Sequence, residues 1–270
     1  KLANDIITSL KVETKQDVMK SPTANVEAYE YYLKAKYKYW NRKNMEDIYI
    51  ARGLYRKAIE LEDNLISAKV SLGWTYSQMG DYDKAMEIYT LALKQAENIG
   101  DKYGMGQSLN TIGVVFSNQG DYDKALDYYD RALAIFEKLG DKHGVGNCLL
   151  NIGIVHYDKC GSDTALDYFN RSLAISEELG DKYGMGYSLL SIGTVHHNKG
   201  DYKKAEEYLE KSLTIQKEIG LKIIELNTTT YLYLAYKHLG KEYDEKEIHI
   251  LIKETENIEF KLNYRLYQLL

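Results

Sequence analysis

Three glycine motifs, three histidines and two cysteines are the residues whose types and spacing invite chemistry. Gly-x-Gly occurs at Gly104/Gly106, Gly144/Gly146 and Gly184/Gly186, and in a nucleotide-binding turn such glycines let backbone N–H groups approach phosphate. That turn needs a preceding strand and a third glycine, and Leu109 stands where the third belongs. Recurring once per 40 residues, the motif reads instead as a device for packing helices. His156, His196 and His197 are of metal-ligand type, but no cysteine or carboxylate is spaced to complete a site. Cys148 and Cys160 form no C-x-x-C pair and have no His or Asp partner at the spacing of a nucleophile. The Asp-x-Asp of GDYDKA lacks the further oxygen ligands, glycine and distal Glu of a calcium loop; acidic groups there suit a helix N-terminus. No Ser-His-Asp, Walker or kinase signature is present. The expectation is a chain that is not an enzyme, with no metal and no cofactor.

The elements that carry these residues follow from composition and repetition. The 270 residues include 26 Tyr but only 4 Phe and 1 Pro, and 44% are apolar. One proline argues against disordered linkers and turn-dense β folds, and the apolar share is ample for a core. Net charge is −5, from 35 basic and 40 acidic residues with no long run of one sign, so neither nucleic acid nor an anionic membrane is an expected partner. No run of 18 apolar residues occurs, and two cysteines suit a reducing, cytoplasmic setting. A chain beginning at Lys1 is expected to be a fragment or a processed product.

Shifted by 40 residues, the sequence matches itself. GDYDKAMEIYTLALKQAENIGDKYGMG from Gly80, GDYDKALDYYDRALAIFEKLGDKHGVG from Gly120 and GDYKKAEEYLEKSLTIQKEIG from Gly200 share one skeleton, and a fourth copy begins at Cys160. That period marks a stacked-repeat architecture. Leu109, Ile112, Val115 and Phe116 make one helical stripe, and Ala125, Tyr128, Tyr129, Ala132 and Ile135 a second. Gly120 suits the left-handed position that ends the first helix, and Asp121 can cap the next. Connections this short make consecutive helices antiparallel neighbours, and one pair cannot bury its stripes without the next. The fold is therefore expected to be all-α, a right-handed α-solenoid of about six helix–turn–helix units.

Leu72, Gly73, Tyr76, Ala85, Tyr89 and Ala92 resemble the tetratricopeptide repeat (TPR), as do Leu109, Ile112, Gly113, Phe116, Ala125, Tyr129 and Ala132. Leu149, Ile152, Gly153, His156, Ala165 and Phe169 make a further match, and Leu189, Ile192, Gly193, His196 and Ala205 another. Glycine on the first helix and alanine on the second are expected to let the two backbones approach, and the tyrosines to act as wedges whose hydroxyls reach the helix edge. The 40-residue period, with GDKYGMG or GDKHGVG in place of the usual proline, is similar to the longer repeats of Partner of Inscuteable adaptors and of bacterial signalling proteins. Residues 1–40 resemble the junction between a TolB-like domain and a C-terminal TPR array, whose parents often carry a cyclase, a kinase or a DNA-binding domain. The division expected is 1–24 as a linker or helix from a preceding domain and 25–64 as a divergent first repeat with a longer loop at 41–47. Residues 65–99, 100–139, 140–179 and 180–219 are regular repeats, 220–257 is a divergent sixth, and 258–270 is a capping helix.

The resemblance implies a concave groove lined by first helices that binds a protein or peptide. Its positions fall at Ser67, Ser71, Trp74, Gln107, Asn110, Val114 and Asn118, then at Asn147, Asn151, Ile154, Tyr157, Tyr187, Ser191, Thr194, His197 and Asn198. The carboxamides offer donors and acceptors suited to a peptide backbone, and Trp74, Tyr157 and Tyr187 are candidate anchors. No Lys or Arg stands among them, which disfavours capture of a C-terminal carboxylate. The leading expectation is a non-catalytic scaffold that docks a partner as part of a larger signalling protein. The alternatives are self-association through the apolar 258–270 segment, giving a homodimer, or ligand-sensing control of an attached cyclase or kinase.

Overall fold

The computed structural model describes residues 25–251, apart from 43, 221, 245 and 248. The expected linker 1–24 and the capping helix 258–270, with the homodimer expected through it, lie outside the described residues. The helices bounded within the described residues are, in order, α1 (Val26–Trp40), α2 (Met45–Leu61), α3 (Ile66–Ser77), α4 (Tyr82–Ile99), α5 (Lys102–Asn118), α6 (Tyr122–Leu139), α7 (Lys142–Asp158), α8 (Ser162–Leu179), α9 (Lys182–Asn198), α10 (Tyr202–Ile219) and α11 (Lys222–Leu239). The fold is all-α, with no strand among the described residues. None of its described helices is long and apolar enough to cross a membrane. The chain forms two compact units that divide after Ile135, inside α6.

Helix ends are set by the junction residues. Gly120 ends its turn at φ +80°, a left-handed conformation that costs a Cβ-bearing residue about 1–2 kcal/mol. Asp81, Asp101, Asp141 and Asp201 each accept a hydrogen bond from the N–H three residues on, at 3.2, 2.9, 3.2 and 3.4 Å. The α7–α8 turn departs from this rule twice: Cys160 takes the left-handed position at φ +63°, and Gly161 leaves α8 without a side-chain cap. The loop expected at 41–47 is shorter, because Asn44 accepts from Asp47 N at 3.1 Å and starts α2 at Met45.

In the first unit the core joins Tyr39, Tyr55, Ile66, Tyr76, Tyr89, Ala92 and Ile112. Beside the expected backbone approach, made by Gly193 toward the Ala205 carbonyl, the first-helix glycines form recesses. A Cβ at Gly73 would lie 2.5 Å from Tyr89 Cε1, and one at Gly113 2.6 Å from Tyr129 Cε1, so each glycine is the recess that receives a ring from the second helix. Tyr89 is fully buried and its hydroxyl has no hydrogen-bond partner, so at this position the hydroxyl does not reach the helix edge as expected. Its depth pushes the phenol well above the ordinary tyrosine value. Arg52 is also buried; it donates to Thr75 Oγ1 at 2.9 Å and to the Thr75 carbonyl at 2.7 Å, with its guanidinium 3.8 Å from the Tyr76 ring centre.

The second unit repeats the recess at Gly153 against Phe169 and at Gly193 against Leu209. Toward its end, Leu209, Tyr231, Leu232, Leu234 and Ala235 close a further core. His156 and His196 stack flat on Tyr168 and Tyr208, at 5.3 and 5.6 Å between ring centres, which places them in the helix–helix packing. Desolvation lowers the His196 imidazole below its ordinary value, opposed by Asp201 at 3.8 Å.

Candidate partner-binding face

The residues proposed to meet a partner lie on first helices, which the second helices hold in place through the ring-and-glycine recesses. In the first unit, α3 and α5 are adjacent, and Ser67 Oγ donates to Gln107 Oε1 at 3.1 Å across them. Trp74 packs its indole partly against the core. Asn110 is half-buried, and Asn118 is exposed at the end of α5.

In the second unit, α7 and α9 carry the corresponding stripe. Asn147 meets His143 at 3.2 Å, one turn earlier on α7, and the other nitrogen of that imidazole lies 3.6 Å from Asp181. Tyr183 and Tyr187 form a tilted pair, 4.7 Å between ring centres, with their hydroxyls 3.2 Å apart. Asn151, Ser191 and Tyr187 are half-buried, and Ile154 is exposed; Ser191 Oγ donates to the Tyr187 carbonyl at 2.9 Å. Asn198 donates its amide to the Tyr157 hydroxyl, joining two residues 41 positions apart.

Two candidates are less accessible than their positions suggest. Thr194, expected on the open face, is buried, whereas Ile154 at the equivalent position one repeat earlier is exposed. His197 sits among Tyr202, Tyr231 and His238, edge-on to each ring at 5.4, 5.6 and 6.0 Å. His143 and Tyr183 were missed by the sequence reading, where their segment served only as a junction motif. Their signal was present: each stands four residues before Asn147 or Tyr187, on the same helical stripe.

The charge pattern is distinctive. Lys142 pairs with Glu178, Lys182 with Glu218, and Lys199 with Asp163, so the lysines that open α7 and α9 and the one that follows α9 are tied to carboxylates of second helices. What α7 and α9 offer between them is carboxamide, hydroxyl and aromatic. The Gly-x-Gly backbone is engaged in packing: the Gly146 carbonyl accepts from Ser172 Oγ at 2.9 Å, and that of Gly186 from Ser212 Oγ at 2.7 Å. Among the described residues no three His, Cys, Asp or Glu side chains converge as metal ligands.

Comparisons with known proteins agree with this architecture. Family models described as tetratricopeptide repeat match residues 104–178 and 159–218, and residues 66–99. Comparison with curated proteins finds no match. Among solved structures, a Rap protein complexed with Competence and Sporulation Factor is 18% identical, with a TM-score of 0.70 over 87% of this chain and 65% of that one. The Rap conjugation gene regulator of the plasmid pLS20, in complex with the Phr* peptide, is 15% identical, with a TM-score of 0.72 over 86% and 63%. Aspartyl phosphate phosphatase F from Bacillus subtilis is 17% identical, with a TM-score of 0.63 over 94% and 70%. The chain thus spans just under two thirds of each of the two Rap complexes.

Proposed function

The chain belongs to the tetratricopeptide-repeat family, and from that premise we propose that it is a non-catalytic scaffold that captures a peptide on its first-helix face. The observation that carries this reading is the stripe on α7 and α9, where Asn147, Asn151, Tyr187 and Ser191 are half-buried and uncharged. Carboxamides can both donate to and accept from a peptide backbone, and half-buried tyrosines lose little side-chain freedom on binding. Lysines already paired with carboxylates add no clamp for a C-terminal carboxylate, so an internal, extended segment fits better. The structure determined with the Phr* peptide lends support at the level of fold.

The paired substitution Asn151→Ala and Tyr187→Ala tests the reading. Screened against a fluorescent peptide library, the wild-type chain should select binders whose affinity falls at least about tenfold in the variant, roughly 1.4 kcal/mol, with unchanged far-UV circular dichroism. Binders that ignore both substitutions would place the interaction elsewhere.

A further inference from the structure

The outward face of α4 differs from the same face of α6 and α8, and the difference is self-complementary. Asp83, Met86, Glu87, Thr90, Leu91 and Lys94 line it together. Leu91 is 56% exposed, and Asp83, Glu87 and Lys94 pair with no charged group among the described residues. One repeat later, α6 carries Arg131 where α4 has Leu91, and Arg131 closes on Asp127 at 3.4 Å. In α8, Arg171 does the same with Asp167 at 3.6 Å. The α4 face therefore lacks the internal ion pair that the same face of α6 and α8 carries, and presents leucine and methionine between separated charges.

We infer that α4 packs against α4 of a second copy of this chain, antiparallel about a two-fold axis midway between Ile88 and Tyr89. About that axis, Asp83 of one copy faces Lys94 of the other, Met86 faces Leu91, and Glu87 faces Thr90. All six residues find a complementary partner in one register, as an isologous contact requires. The later helices fail the same operation. In α6 it sets Asp127 against Asp130 and Leu126 against Arg131; in α10 it sets Glu207 against Glu210. Contact over this face spans about 16 Å of helix, which places the dimer among small, reversible interfaces with a Kd weaker than about 1 µM. It uses a second helix, away from the first-helix stripe, so a dimer presents two partner-binding faces.

Sedimentation equilibrium of the full chain from about 1 to 500 µM should show a monomer–dimer equilibrium. Leu91→Arg, which installs the residue that α6 and α8 already carry, should weaken it at least about tenfold, and Lys94→Glu should do likewise by facing two carboxylates. Combining Lys94→Glu with Asp83→Lys should restore association, because the swapped charges meet again across the axis. A wild-type chain that stays monomeric, a dimer indifferent to Leu91→Arg and Lys94→Glu, or a double swap that fails to recover would each overturn the inference. Circular dichroism of each variant establishes that the helices persist.

Discussion

Tyr89→Phe should stabilise the protein, although it removes a polar group that would ordinarily be assumed to contribute. The Tyr89 ring fills the recess at Gly73, and its hydroxyl is buried with no hydrogen-bond partner. A buried, unsatisfied hydroxyl costs about 1–3 kcal/mol. Deleting it leaves a gap of roughly one oxygen atom, and at ~24 cal/mol per Å³ that cavity costs only about 0.3 kcal/mol. The net gain is about 0.7–2.7 kcal/mol. Phe169 already occupies the equivalent recess at Gly153, so the ring without its hydroxyl fits this geometry. Urea unfolding followed by circular dichroism should show the gain, with amide exchange of α3 and α4 slowed to match. The pH dependence supplies a second readout. Burial raises the Tyr89 phenol in the folded state above its ordinary value of 10, so the wild type keeps its full stability below pH 10 and loses some as pH rises beyond it. The phenylalanine variant should not show that part of the alkaline loss. A Tyr89→Phe chain destabilised by more than about 0.5 kcal/mol would mean that the hydroxyl is satisfied, and would refute the reasoning.

Other positions give expectations of either sign. Cys160→Gly should raise stability by about 1 kcal/mol by relieving the φ of +63°, measurable as an upward shift in Tm, and Gly161→Asp should add a comparable amount by restoring the missing cap of α8. Gly53→Ala meets nothing within 4 Å and should gain about 0.5–1 kcal/mol from helix propensity. Gly113→Ala should instead destabilise in the same denaturant assay, because its Cβ would sit 2.6 Å from the buried Tyr129 ring. His196 is lowered by burial, so its contribution is complete above its ordinary value of about 6.5 and is lost as pH falls below it. His196→Phe, matching Phe116 two units earlier in register, should flatten the fall in Tm between about pH 7 and 5.

The local grammar of the fold was legible because it is short-range. Gly120–Asp121 and its counterparts encode a left-handed stop followed by a cap within two residues, and both appear where the pattern places them. Even the exception at Cys160–Gly161 was visible as a departure from that pair. The purpose of the small first-helix residues was harder to read. A glycine at position 73 or 113 states that something comes close, and only the packed structure shows that the visitor is an aromatic ring. For the candidate face, the resemblance to TPR arrays pointed to Asn147, Asn151 and Tyr187, which are half-buried, and equally to Thr194 and His197, of which the first is buried and the second sits among the rings of Tyr202, Tyr231 and His238.

The sequence by itself determined the repeat, the helix pairs, their caps and the family, since periodicity and junction chemistry are properties of adjacent residues. Tertiary structure alone decided which polar groups remain available. It joins Asn198 to Tyr157 over 41 positions, ties Lys142 and Lys182 to carboxylates 36 positions on, and leaves the Leu91 face of α4 without the ion pair that the same face of α6 and α8 carries. Those outcomes depend on which side chains neighbouring helices bring within reach, and distance through space is not written in the order of residues along the chain.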